Sequence, residues 1–337
     1  MATLPLRYLS TADVMAAMPS IEERLHLAAK TMVALVEDAE LPPKIGVHPA
    51  PVDSFAHAMP AWMRGGADDG SADLLGVKWV AGFPTNASAG LPAIHGTAIL
   101  SDALSGMPRA IMDAGGITAQ RTAAVSGAAL MRWGPRSGED VVGSRTTVAV
   151  IGAGMQARSH LPVIDFLLPG ADLVLCDRDP ARLAKLADEV AAGDHGRAFV
   201  DVRTERDSAV AVEGADVVLT LVSFGPERQS IPDAAFDPDS TVVAVDYDMC
   251  VPATLADGAA LFLTDDREQF LASRTGEVFV GYPEPTAMIG QAISDATPRP
   301  AGQVLVSHLG VGLADVVFGD AILRAAEARG IGTVLER

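Results

Sequence analysis

Val148 to His160 reads VAVIGAGMQARSH, and it places Gly152, Gly154 and Ala157 where an apolar run gives way to a stretch that can be helical. Thr146 to Ile151 is β-branched enough for a buried parallel strand, and the residues after Gly154 can open a helix. Small residues at a strand-to-helix turn have a physical use. Gly152 permits the tight turn, Gly154 lets a pyrophosphate approach the backbone, and Ala157 lets the helix pack close to the strand while its first N–H groups face the anion. ADLVLC, Ala171 to Cys176, reads as the next strand and ends in Asp177, about 20 residues beyond the turn. A carboxylate there accepts hydrogen bonds from ribose hydroxyls, which favours NAD over NADP. Arg178, next door, could instead meet a 2′-phosphate.

The same alternation continues outward. VAVIGAG, ADLVLCD, a helix from Pro180 through Ala192, FVDVR, ADVVLTLVS, STVVAVD and ALFLTDD make a doubly wound, Rossmann-type α/β domain. Pro162 lies inside the first helix and is expected to kink it or end it early. Upstream the pattern differs. Ser20-Ile-Glu-Glu23 reads as a capping box opening a helix to about Ala39, and the strands KIGVHP, SFAHAMPAW, LLGVKWVAGF, AIHGTAIL and PRAIMDA follow without intervening helices. This predicts an α+β domain on a mostly antiparallel sheet over residues 1–120, with the helical stretch Leu313 to Arg329 returning to it, so that residues 121–312 form the dinucleotide-binding domain. A helix from Thr118 to Trp133 joins the two.

Composition sets the outer limits. The chain has 337 residues, is 49% hydrophobic and carries a net charge of −18, a balance that argues against nucleic acid as a partner. No apolar run is long enough to span a membrane and MATLPLRYLS lacks a secretion signal's basic start, so the expected location is cytoplasmic. Cys176 and Cys250 show no CxxC spacing, the seven histidines show no HExxH, and there is no GxSxG elbow. Neither a metal site nor covalent catalysis is expected.

MPA (Met59–Ala61), GVK (Gly76–Lys78), GFPTNASAGLPAIHGTAILSDALSGMPRAIMDA, ITAQRTAAVSGAA and VIGAGMQARSH occur in an order and spacing that resemble the ornithine cyclodeaminase and μ-crystallin family over nearly the whole chain. The resemblance implies an NAD(P)-binding domain, a second α/β domain that usually makes a homodimer, and chemistry on small amino acids or their imines. It also implies roles for single residues. Lys78 and Arg121 match basic residues that hold a substrate carboxylate toward the cleft between the domains, and Lys44 stands where many members place an arginine. A lysine supplies charge there without the bidentate fork. Asp248, in VVAVDYDMCVP, resembles the catalytic aspartate, although Asp246 is only two residues away and DYDMCVP departs from the family's glycine-rich turn. Lys78 could share the proton role. Beside Gly152, Gly154, Asp177 and Arg178, the cofactor-binding candidates are Thr122, Met155, Gln156, Thr220, Ser223, His308 and Gly310. Asp315 belongs with His308 and Gly310 to the segment SHLGVGLADVVFGD, which resembles the one that closes over the nicotinamide.

Two functions of different class fit. One is an NAD-dependent oxidoreductase acting on CH–NH2 or C=N groups: an imine reductase or amino acid dehydrogenase, with the cyclodeaminase type of ammonia-lyase as its variant. The other is a protein that binds NAD(P) and a small carboxylate without turnover. In ornithine-specific members a glutamate meets the distal amine two residues before the MP dipeptide, where this chain has His57. Ornithine and lysine are therefore expected to be poor substrates, and with Lys44 nearby a small dicarboxylate fits better. Alternatively, His57 only packs against the strand pair.

Overall fold

The computed structural model describes residues 5–65, 72–135, 145–225, 227–276 and 278–336, and the chain falls into two compact units, Met1–Arg121 with Gly310–Arg337 and Thr122–Leu309. In the first unit, local chemistry sets where the helices begin. The Glu23 N–H donates to Ser20 Oγ, and the Ser20 N–H donates back to the Glu23 carboxylate, so the Ile21–Glu37 helix opens on a closed capping box. Ser10 and Asp13 do the same for the Thr11–Ala16 helix.

Seven strands of this unit come early in the chain: β1 (Leu6–Leu9), β2 (Ala39–Glu40), β3 (Ile45–Val47), β4 (Phe55–Met63), β5 (Leu74–Gly82), β6 (Ile94–Asp102) and β7 (Pro108–Asp113). The second unit then supplies β8 (Thr147–Ile151), β9 (Asp172–Cys176), β10 (Val202–Glu205), β11 (Val217–Thr220), β12 (Thr241–Ala244), β13 (Leu261–Thr264), β14 (Ala287–Met288) and β15 (Val304–Ser307). The chain returns to the first unit with the Gly312–Arg329 helix and β16 (Thr333–Leu335).

The first sheet runs β16-β1-β7-β6-β5-β4-β2, with β3 also on β4, and is antiparallel apart from the β1–β7 pair. Period-two alternation sorts its two faces. Along β5, Gly76, Lys78, Val80 and Gly82 are buried, while Leu75, Val77, Trp79 and Ala81 are less so. A Cβ on Gly76 would lie 3.0 Å from Val316, so the Gly312–Arg329 helix covers the buried face. That face carries Lys78, and the register Met59↔Lys78 and His57↔Val80 puts His57 on it too.

The second sheet is parallel throughout, in the order β10-β9-β8-β11-β12-β15-β13-β14. From β8 the chain winds outward through β9 and β10, then crosses back to β11 on the other side, so the strand order reverses between β8 and β11. The strands β8, β9, β11, β12, β13 and β15 are buried almost throughout and are mostly apolar, while the edge strand β10 is exposed. The Met155–Leu167 helix passes through Pro162 to Leu167. A proline inside a helix costs about 3 kcal/mol. Burial of Leu161, Val163 and Ile164 on either side supplies the packing that carries the helix past it. Among the described residues no helix is long and apolar enough to cross a membrane, and no group of three histidine, cysteine or acidic residues is disposed to hold a metal ion.

Candidate active site

Three charged side chains meet inside the first unit. Lys78 projects from β5, Arg121 from the Gly115–Trp133 helix, and Asp315 from the first turn of the Gly312–Arg329 helix. Lys78 Nζ lies 2.5 Å from Asp315 Oδ2, Arg121 Nε lies 3.3 Å from Asp315 Oδ1, and Nζ also donates to Thr118 Oγ1 at 3.4 Å. Their exposures are 1%, 5% and 0%, respectively. Two cations share one carboxylate, so the cluster carries a formal excess of one positive charge away from water. Such a charge is costly unless an anion meets it. Burial pushes the Lys78 ammonium down to about 8, with Asp315 opposing that shift and Arg121 adding to it. A lysine so poised can exchange a proton near neutral pH.

Gly310 makes room for this cluster. It sits at φ +80°, and a Cβ on it would come within 2.7 Å of both terminal nitrogens of Arg121. Gly310, a cofactor-binding candidate by sequence, thus also borders the Arg121 guanidinium. The His57 ring stacks on Phe55, with centroids 4.7 Å apart, and lies over Gly46 of β3, its register partner. Burial, then Lys44, His48 and Lys78, push the His57 imidazole down to about 4, so it is neutral at pH 7. Lys44, partly buried just ahead of β3, also depresses Lys78. The structure therefore brings Lys44, His57, Lys78 and Arg121 into one electropositive neighbourhood.

In the second unit the glycine-rich turn has the geometry its spacing predicts. Gly152 sits at φ +106°, and a Cβ there would meet the Leu221 carbonyl at 2.7 Å. Gly154 caps the Met155–Leu167 helix without any side-chain hydrogen bond, and nothing lies within 4 Å of where its Cβ would be. Open space before uncapped helical N–H groups suits an anionic group. Met155 is exposed, Gln156 half-buried and Ala157 buried. Asp177 follows β9, where its carboxylate accepts from the Ala153 N–H of the turn and from the Asp179 N–H, both at 2.8 Å. Arg178 is exposed beside it, as is Ser223 in the segment beyond β11.

The two carboxyls left open by sequence differ in their surroundings. Asp246 is buried beyond β12 and accepts from Thr220 Oγ1 at 2.7 Å and the Val222 N–H at 3.3 Å. Burial pushes it up to about 6. Asp248 is held by Arg228 Nε at 3.1 Å and by the Phe279 N–H at 2.9 Å. Tyr247 between them adopts φ +61°, in the turn that departs from the family's glycine-rich pattern. His308 follows β15 and is buried against Ser126, and Thr122 is buried on the same helix as Ser126.

The profile of the ornithine cyclodeaminase/mu-crystallin family matches residues 9–230. The chain belongs to this family. It is 29% identical over 342 residues to the nodulation efficiency protein NfeD of Rhizobium meliloti, with 98% of each chain covered. It is 28% identical to the mouse ketimine reductase mu-crystallin over 78% of each chain. The fold is that of an archaeal alanine dehydrogenase dimer solved with bound NAD, at a TM-score of 0.82, 19% identity and 99% coverage of both chains. In this cyclodeaminase/crystallin family member, sequence reading missed Asp315 as the counter-ion of Lys78 and Arg121. The available signal was an aspartate in the otherwise apolar GLADVVFG. It also missed Ser126 and His160, which carry no local signal because both lie inside helices.

Proposed function

We propose that this protein is an NAD-dependent oxidoreductase that interconverts a small 2-amino acid with its 2-imino or 2-oxo acid. The observation that carries the proposal is the buried Lys78–Asp315–Arg121 cluster, whose excess positive charge calls for a carboxylate and whose lysine holds a mobile proton. Arg121 binds the substrate carboxylate through its terminal nitrogens, Nε being committed to Asp315. Lys44 adds longer-range attraction. Lys78 gives a proton to the substrate nitrogen in reduction and takes one back in oxidation. NAD, when bound, would supply or accept the hydride at C2, so the amino and imino acids differ by one hydride and one proton, and the oxo acid is reached from the imine by exchange of ammonia for water.

The cofactor is held by the turn at Gly152 and Gly154 and by the first N–H groups from Met155 and Gln156 onward. Thr122, Thr220, Ser223 and His308 act at the same site, with Gly310 shaping the Arg121 pocket. Asp177 takes the ribose hydroxyls and repels a 2′-phosphate, which Arg178 alone does not offset. Asp248 stays our first choice for the carboxylate that stabilises the iminium, because two fixed donors hold it still, with Asp246 as the competitor. The protein acts as a homodimer. Ile45, Ala58, Trp79 and Thr97 form one cross-strand row on the face opposite Lys78, and Ile45 and Trp79 are exposed. Apolar rows of this kind are covered by a second copy more readily than by water.

The deciding experiment follows nicotinamide absorbance while small 2-oxo acids are offered with ammonia or methylamine, and amino acids are offered in reverse. Turnover that vanishes in Lys78→Met supports the proposal. NADH binding without turnover of any pair would leave the protein a binder. Light scattering on the wild type and on Trp79→Glu tests the dimer, with dissociation expected in the variant.

A further inference from the structure

Gln156, His160, Ser126 and His308 form a buried chain of hydrogen bonds inside the second unit. His160 Nδ1 is 2.7 Å from the Gln156 carbonyl, His160 Nε2 is 2.8 Å from Ser126 Oγ, and Ser126 Oγ is 2.9 Å from His308 Nε2. His160, Ser126 and His308 are each 1% exposed.

Counting protons orients the chain. A carbonyl oxygen only accepts, so His160 Nδ1 carries a proton. Burial pushes the His160 imidazole down to about 3, so the ring is neutral and its Nε2 is a lone pair. Ser126 must therefore donate its single proton to His160. The longer approach of Ser126 Oγ to the Thr122 carbonyl, 3.3 Å, is secondary. With its proton spent, Ser126 can only accept from the other side, so His308 Nε2 carries a proton.

The two ends of this chain matter for the dinucleotide site. Gln156 lies in the first turn of the helix that follows Gly152 and Gly154. His308 follows β15, where its N–H donates to the Ala244 carbonyl at the end of β12. Ligands of such sheets bind beyond the carboxyl ends of the strands.

We propose that Ser126 is a positioning residue of the dinucleotide site: by donating to His160 and accepting from His308 it ties the first turn of the glycine-rich helix to the carboxyl edge of the sheet and fixes His308 as the Nε2–H tautomer. This rests on reading the second unit as NAD-binding. With the His160 ring neutral, only this placement of the Ser126 proton satisfies all three distances, and alanine at 126 would leave both histidines without their shared partner.

The test combines imidazole nitrogen NMR with NADH titration on the full chain. In the wild type, His160 should appear as the Nδ1–H tautomer and His308 as the Nε2–H tautomer, assigned through His160→Gln and His308→Gln. Ser126→Ala should release His308 from its single tautomer and raise the NADH dissociation constant about tenfold, the equivalent of one lost hydrogen bond. Ser126→Thr, which keeps the hydroxyl, should restore both. A wild-type His308 protonated at Nδ1 overturns the proposal, as does Ser126→Ala with unchanged tautomer and affinity. Weaker NADH binding with the tautomer unchanged also overturns it, since that is what a merely structural role would give. Failure of the wild type to bind NADH sinks the dinucleotide reading and the positioning role together, while wild-type binding unaffected by Ser126→Ala sinks the positioning role alone.

Discussion

Lys78 Nζ lies 2.5 Å from Asp315 Oδ2, between a strand and a helix far apart in the chain. The pair is buried together with Arg121, so the carboxylate cannot neutralise both cations. Burial is the main reason that Lys78 has a lowered affinity for protons, with Arg121 adding to the effect and Asp315 opposing it.

That lowering has a consequence for stability. Lys78 releases its proton at about pH 8 when folded, against an ordinary value of 10.5. Between those values the unfolded chain binds more protons, so unfolding free energy rises as pH rises through this window. The shift corresponds to ~3 kcal/mol across the full interval. Urea unfolding at a series of pH values should show that rise in the wild type and lose it in Lys78→Met. A flat profile in the wild type would contradict the burial of a protonated lysine.

Replacing Asp315 with asparagine should be the more damaging change. It leaves two buried cations with no anion, a situation that costs about 3–5 kcal/mol. Its expected signature is partial rescue by added 2-oxo acid, read as a ligand-dependent rise in melting temperature larger than that of the wild type.

Arg121→Ala should weaken substrate binding by about 1.5–3 kcal/mol through loss of charge-assisted hydrogen bonds, while the NADH dissociation constant hardly moves. Steady-state kinetics beside a fluorescence titration separates the two. Equal loss of both affinities would make Arg121 a structural residue.

NADH should bind more tightly than NADPH, because Asp177 stands at the end of β9 against the turn. Asp177→Ser should narrow that preference by about tenfold, on the order of 1.4 kcal/mol. Comparable binding of the two by the wild type would mean that Arg178 dominates.

His57 faces the same side of the sheet as Lys78 and stays neutral down to about pH 4. Ornithine should therefore be a poor substrate relative to alanine and aspartate, with a ranking that does not change between pH 6 and pH 8 as far as His57 is concerned. His57→Glu should shift catalytic efficiency toward ornithine. No shift would mean that His57 serves only its packing against Phe55 and Gly46.

The features legible in the sequence are those set by near neighbours. The Gly152 turn, the Ser20–Glu23 capping box and the alternation along β4 and β5 follow from φ/ψ preference, local hydrogen bonding and side-chain period, all within a few residues. The strand β15 was not legible. Three apolar residues and a serine after a proline- and glycine-containing stretch carry no periodic signature, and only pairing with β12 and β13 makes them central. Helix persistence through Pro162 likewise came from packing and not from propensity.

By itself, the sequence determined the strand-turn-helix with its acid at Asp177, the division into an α+β and a doubly wound part, and the basic residues Lys78 and Arg121. Only the tertiary structure decided what those residues do to one another. Arg121 and Asp315 are 194 positions apart, and a charge in an apolar helix has no partner until folding delivers one. The same holds for His160 and His308, whose tautomers depend on one serine proton. Electrostatic coupling and proton inventory belong to distances in space, and the order of residues along a chain does not contain them.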